Sequence, residues 1–392
     1  MAFSKKSWVL IAAISALSCV AASAQTRGVT KDEILLGSHI DLSGPIAELG
    51  RAGVNAARMA EEEINAAGGI HGRKLRILFE DSGYDPKKAV LVTQKLIDKD
   101  GIFAMVMATG NAPSEATYPL LLKAGVPNLF AWAGSPMFTT PLEKISFAFF
   151  PTNGGIIAPA VKQFAEKEGK KRFCFIYQDD AYGADVKDGV ELALKAAKLA
   201  IIEEVGYKRG TTDFSAQVAR VQRGNCDLLV LGTVPAPAAG IVQEVRRRGW
   251  NVPILMAGSS YDETTIKLGK EAVEGSFAAA VIPNPDPERS PPAVQEWLKK
   301  YQAKYGQPGS LYGAYAYAIV QLAGESLRRA GPNLTVDSLV KGTESIKDYK
   351  TIFGGPTIKF SDKDHMGMRG SLLFKVENGK WVQVGGELTP VN

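Results

Sequence analysis

The chain reads as an α/β protein of two doubly wound lobes of similar design. Three observations predict this. Short apolar runs at residues 103–108 and 126–131 lack polar alternation, which fits strands buried on both faces of a parallel sheet. Between them Ala116, Leu120, Leu121 and Ala124 fall at helical spacing, so the unit is strand–helix–strand with a right-handed crossover. The pattern then starts again near Arg172. Residues 85–110 give a helix, an apolar strand and a Thr-Gly end, and residues 213–233 repeat that order with the end reversed to Gly-Thr. For 392 residues, two domains are the natural expectation.

The elements follow in order. Residues 34–40 form a buried strand ending in Asp41-Leu-Ser-Gly-Pro45, and an amphipathic helix runs from there to about Ala67, stopped by Gly68-Gly69. Residues 74–80 alternate as a strand, and Asp85-Pro86 opens a helix with proline where its missing N–H costs nothing. After the 103–136 unit comes a strand-like passage at 144–150. In the second half, strands are expected at 172–177, 200–205, 227–231, 253–257 and 275–282, with helices between. Helices follow at 293–305, 310–330 and 336–345. The end is β-like at 357–360, 371–376 and 381–384, and Glu377-Asn378-Gly379 signals a hairpin.

The first residues stand apart from this fold. Lys5 and Lys6 precede an apolar run at 8–17, and Ala22-Ser23-Ala24 supplies small residues at −3 and −1. That is a secretory signal peptide over residues 1–24, with a freely soluble exported product. Ala16 stands where a lipoprotein site before Cys19 would have leucine. Cleavage removes two lysines and no acid, so the formal charge falls from +5 to +3, too small and evenly spread to argue for nucleic acid. Cys174 and Cys226 remain. Strand alignment by their polar ends puts the two sulfurs out of register, so buried free thiols are expected.

Catalytic patterns are missing: no G-x-S-x-G, no H-E-x-x-H, no phosphate loop and no G-x-G-x-x-G. His39, His71 and His365 sit in unrelated elements without ligand-like spacing, so no metal or cofactor is expected. Asp179 and Asp180 are adjacent on one loop, a poor placement for an acid and base straddling a substrate. What recurs is strand-end chemistry. Ser43, Thr109 with Asn111, the run Trp132, Ala133, Gly134 and Ser135, then Tyr182, Thr233, and Ser259, Ser260 and Tyr261 offer hydroxyls, amides, aromatic faces and bare backbone. Ligands of open α/β sheets sit at that carboxyl edge, and the inventory suits reversible binding of a small polar or carboxylate-bearing molecule with apolar bulk.

Several motifs carry a family resemblance. These are Asp41-Leu-Ser-Gly-Pro-Ile-Ala-Glu-Leu-Gly50, Glu63-Ile-Asn-Ala-Ala-Gly-Gly-Ile-His-Gly72, Asp85-Pro-Lys-Lys-Ala89 and Gly125-Val-Pro. Asp180-Ala-Tyr-Gly183, Asp213-Phe-Ser215, and Gly354 and Pro356 with Ile358-Lys-Phe360 follow. With them the chain resembles the periplasmic solute-binding proteins of the leucine/isoleucine/valine family, which serve ABC importers. The resemblance implies two lobes joined by three crossover strands, near residues 149–152, 279–283 and 353–357. Lobe 1 would be residues 25–150 plus 284–353, and lobe 2 residues 151–283 plus 354–392. It further implies a monomer in the periplasm that closes around its ligand and is recognised by an inner-membrane permease. A periplasmic sensor lobe reporting to a receptor is the alternative.

The resemblance also assigns contacts. The serine that meets the ligand carboxylate in the family falls on Asn111, the backbone donors of the next strand end on residues 132–135, and the second-lobe aromatic on Tyr182. Leu49 flanks the side-chain pocket. The hydroxyl that helps hold an amino acid's ammonium falls on Gly134, beside Ser135, and the acid that neutralises it falls on Ser259 or Ser260. A buried ammonium without a carboxylate is costly. An aromatic or branched organic acid, or a neutral amide, is therefore as well suited as an amino acid, for which Asp262 or Asp180 would have to swing in.

Overall fold

The computed structural model describes residues 26–391. The expected signal peptide and Cys19 lie outside the described residues. Strands β1 (Glu33–Ile40), β2 (Lys74–Asp81), β3 (Ala104–Val106), β4 (Asn128–Ala131) and β5 (Ser146–Ala148) form a parallel sheet in the order β2-β1-β3-β4-β5. Strands β6 (Phe173–Gln178), β7 (Ile201–Tyr207), β8 (Leu228–Gly232), β9 (Ile254–Met256) and β10 (Phe277–Ala280) repeat that order as β7-β6-β8-β9-β10, again parallel. The two halves therefore share one winding, which places the carboxyl edge, and the loops leaving it, in the same position in each.

The second sheet is extended by β11 (Ser371–Glu377) and β12 (Lys380–Leu388), both antiparallel. The hairpin between them turns on Asn378 and Gly379, both with positive φ (55° and 69°), as Asn-Gly favours. The helices Ala47–Ala66 and Leu311–Ala330 pack together over one face of the first sheet. The helices Pro86–Gln94 and Asn111–Ala124 cover the other face around Leu96, Ile102, Met105 and Leu121.

Two expectations need correction. Cys174 and Cys226 form a disulfide, with Cα atoms 5.8 Å apart. In strand register Cys174 lies opposite Leu229, three residues beyond Cys226. Register is the wrong measure, however. Cys226 lies before β8, in the turn after the helix Ser215–Gln222, where left-handed Asn225 redirects the chain. The turn sets its sulfur against Cys174, and both sulfurs sit by the carbonyl of Val221.

The second correction concerns residues 354–367, expected in lobe 2. Phe360 packs against Phe130 and Phe147, and the Ala148 N–H donates to the His365 carbonyl at 2.9 Å. This stretch therefore runs beside the first sheet, and the chain passes to the second only between Met368 and β11. Ile358 makes an isolated bridge with Tyr349 rather than a strand. An apolar stretch with β spacing had no other way to signal which sheet it would flank.

Candidate functional site

The carboxyl edges of the two sheets face each other across a cavity with about 810 Å³ of unfilled space, open mouth included. Its first wall comes from loops after β1 to β4. Asp41 is fully buried and accepts from the backbone N–H groups of Ser43, Gly44 and Ile46, which folds the loop ending at Ile46, and the first helical turn with Leu49 after it, onto the cavity. The strand ends are sharply turned. Tyr84, Met107 and Phe130 are buried yet adopt left-handed backbone (φ 56° in each), a conformation that costs a non-glycine residue about 1–2 kcal/mol. Past these turns Thr109 and Trp132 pair in a parallel bridge, and the Gly110 N–H donates to the Trp132 carbonyl at 3.2 Å. The two loops thus reach the cavity side by side.

Two glycines are required by close approach. A Cβ on Gly110, whose φ is +84°, would lie 2.4 Å from Cε2 of Tyr84. One on Gly134 would lie 2.8 Å from the backbone nitrogen of Asn153, the first residue of the helix Asn153–Glu166. The helix Asn111–Ala124 begins directly after Gly110, so its first N–H groups face this edge, a favourable place for an anion. Asn111 is 2% exposed, and its amide nitrogen has no hydrogen-bond partner although it borders the cavity. Its carbonyl oxygen accepts from Nδ2 of Asn153 at 3.2 Å.

The second wall holds Tyr182, Val234, Ser259 and Ala280, and from the first side the start of the helix Leu311–Ala330 adds Tyr312 and Tyr315. Tyr182 donates to the Thr233 carbonyl at 3.3 Å, and Tyr312 donates to the Ser259 carbonyl. Burial holds these phenols well above their ordinary pKa, so they stay neutral donors.

No Asp, Glu, Lys or Arg lines the cavity among the described residues. The nearby acids are engaged elsewhere. Asp180 caps the helix Ala181–Ala196 through the N–H groups of Tyr182 and Gly183, and also accepts from Gln178 at 2.7 Å. Asp262 caps the helix Glu263–Gly269 through the Thr264 N–H at 2.8 Å. Asp185 accepts from both the N–H (2.7 Å) and Nδ2 (2.9 Å) of Asn153, and burial pushes its pKa up to about 7.

Of the residues read from sequence, Leu49, Thr109, Asn111, Trp132, Ala133, Gly134, Tyr182 and Ser259 border the cavity. Five others are turned to structural work. Ser43 donates to Asp81 at 2.6 Å, and Ser135 donates to Glu115 at 2.6 Å. Thr233 and Ser260 bond each other at 3.2 Å. Tyr261 stacks on Phe374 and accepts the Asn284 N–H at 2.7 Å. Of the adjacent serines only Ser259 borders the cavity, and sequence did not say which of the two would. Sequence reasoning missed Tyr84, Phe150, Asn153, Tyr312 and Tyr315. Tyr84 had a usable signal, since it follows β2 at the same edge. Tyr312 and Tyr315 lie far along the chain and reach the cavity only because their helix packs on the helix Ala47–Ala66.

A family model described as periplasmic binding protein matches residues 33–380. The Leucine-specific-binding protein of Salmonella typhimurium is 27% identical over 346 residues, 86% of this chain and 88% of that one. A substrate-binding periplasmic protein from Ralstonia solanacearum superposes with a TM-score of 0.81 at 27% identity, covering 90% of this chain and 100% of that one. The solute binding protein of an ABC transporter from R. palustris, solved with benzoate, has a TM-score of 0.80 over 91% and 97% of the two chains. At 18% identity that last likeness is one of fold.

Proposed function

Since the chain belongs to the periplasmic binding protein family, and its curated relatives are named for the solutes they bind, we propose that it is a solute-binding protein of an ABC importer whose ligand is an apolar carboxylic acid without an α-ammonium. The observation that carries this reading is the mismatch of charge at the cavity: an unpartnered amide donor on Asn111, and no lining carboxylate among the described residues. An ammonium enclosed there would lose its water and gain no counter-charge, a cost of several kcal/mol. A carboxylate would gain the Asn111 amide and the first N–H groups of its helix, the strong charge-assisted kind of hydrogen bond. Trp132, Leu49, Phe150 and the tyrosines supply apolar and aromatic surface for the rest of the molecule.

A second reading, an α-amino acid such as leucine, is favoured by the name of the Salmonella relative. One pair of compounds separates the two. Leucine and 4-methylpentanoate share a carbon skeleton and differ in the ammonium. In thermal melts, 4-methylpentanoate or benzoate should raise the midpoint and leucine should not. A ligand at 100 times its dissociation constant adds about 2.7 kcal/mol of stability. A strong shift with leucine alone would overturn the proposal.

A further inference from the structure

Tyr84 is the point where the second sheet's edge grips the first. It follows β2, is 4% exposed, and borders the cavity with its ring against Gly110, the residue before Asn111, whose unpartnered amide borders the same cavity. Three contacts reach it from the other side. Gln178, at the end of β6, donates from Nε2 to the Tyr84 hydroxyl oxygen at 3.4 Å. Arg209, after β7, donates from Nη1 to the Tyr84 carbonyl at 2.7 Å, and its guanidinium lies 5.6 Å from the ring centroid. Asp180 holds the Gln178 amide at 2.7 Å, with Arg209 3.8 Å from its carboxylate to balance the charge.

A phenol has one hydrogen to donate and lone pairs to accept with. Here Gln178 occupies the accepting side, and among the described residues nothing takes the hydroxyl hydrogen of Tyr84. A buried donor left unmet is costly unless a ligand meets it. Resting on the carboxylate reading above, we propose that Tyr84 is a second donor to the ligand carboxylate, and that Gln178, reaching across from the second sheet, is the positioning residue that aims its hydroxyl. Anion capture and lobe closure then share a single hydroxyl group. Before the lobes close, nothing fixes the hydrogen's direction; afterwards the amide of Gln178 leaves it one outlet.

Calorimetric titration of benzoate and 4-methylpentanoate into the full mature chain tests this, using wild type, Tyr84→Phe, Gln178→Met and the double variant. Tyr84→Phe keeps the ring and the main-chain carbonyl that Arg209 holds and gives up only the 3.4 Å hydrogen bond from Gln178, so its ligand-free melting point should stay close to that of wild type. Its affinity for both acids should fall about 10- to 100-fold, the range for a hydrogen bond to a charged group. Gln178→Met should lose affinity in the same direction, and the double variant should be no weaker than Tyr84→Phe, because Gln178 acts through the hydroxyl. Tyr84→Phe binding within twofold of wild type, or losses that add in the double variant, would overturn the inference. Wild type binding neither acid would instead overturn the carboxylate reading, and this inference with it.

Discussion

Asp185 shows how one buried side chain can set the pH behaviour of the fold. It is 7% exposed and faces Asn153, with Asp188 the other charge acting on it, and burial is the main cause of its raised pKa of about 7. In the unfolded chain its pKa returns to an ordinary carboxylate value. Between those two values the folded state holds a proton that the unfolded state has released. Its contribution to stability is therefore greatest below the unfolded pKa, declines as pH rises toward 7, and is constant above that. Asp185→Asn keeps an oxygen to accept from Asn153 and removes the titration. Urea melts at pH 5 and pH 8 should show wild type losing stability on going up, of the order of a few kcal/mol, and the variant losing much less. Equal slopes would mean that Asp185 is ionised throughout.

At the scale of elements, the disulfide joins the core strand β6 to the turn before β8 across a sequence separation of 52 residues. The loop-closure model gives roughly 4 kcal/mol for a loop of that size, with 2–4 kcal/mol typical of measured cases. Replacing both cysteines with serine should lower the denaturant midpoint by a corresponding amount and leave ligand affinity nearly unchanged, since neither residue borders the cavity. The same pair marks what sequence could convey. Strands, their succession along each half of the chain and the polar strand ends were legible, because apolar runs and glycine-bearing loops act over a few residues. Pairing of Cys174 with Cys226 was not, because it depends on how a turn folds back over a sheet face. The inward-facing member of Ser259 and Ser260 was hidden for a like reason: the Gly258–Ser260 turn decides it, and either serine has the composition for the role. Tyr312 and Asn153 needed the third dimension outright.

For the molecule as a whole, a binding protein that closes on its ligand, as we propose, has an affinity set by how often the ligand-free lobes meet as well as by contacts to the ligand. Hydrogen bonds cross the cavity from Arg209 and Gln178 to Tyr84, from Tyr312 to Ser259, and from Asn153 to Asn111. Arg209 is the useful one to remove, because it does not border the cavity. Arg209→Ala deletes a hydrogen bond and a cation–π contact, together about 1–2 kcal/mol of preference for the closed arrangement. Apparent affinity scales with the fraction of protein able to bind, so benzoate and 4-methylpentanoate should both weaken by the same factor, at most about 5- to 30-fold. Small-angle scattering of the ligand-free variant should show a larger radius of gyration than wild type, and saturating acid should restore the wild-type value. Unequal losses for the two acids would place Arg209 among the specificity contacts instead, and an unchanged radius with unchanged affinity would show that the lobes stay together without it.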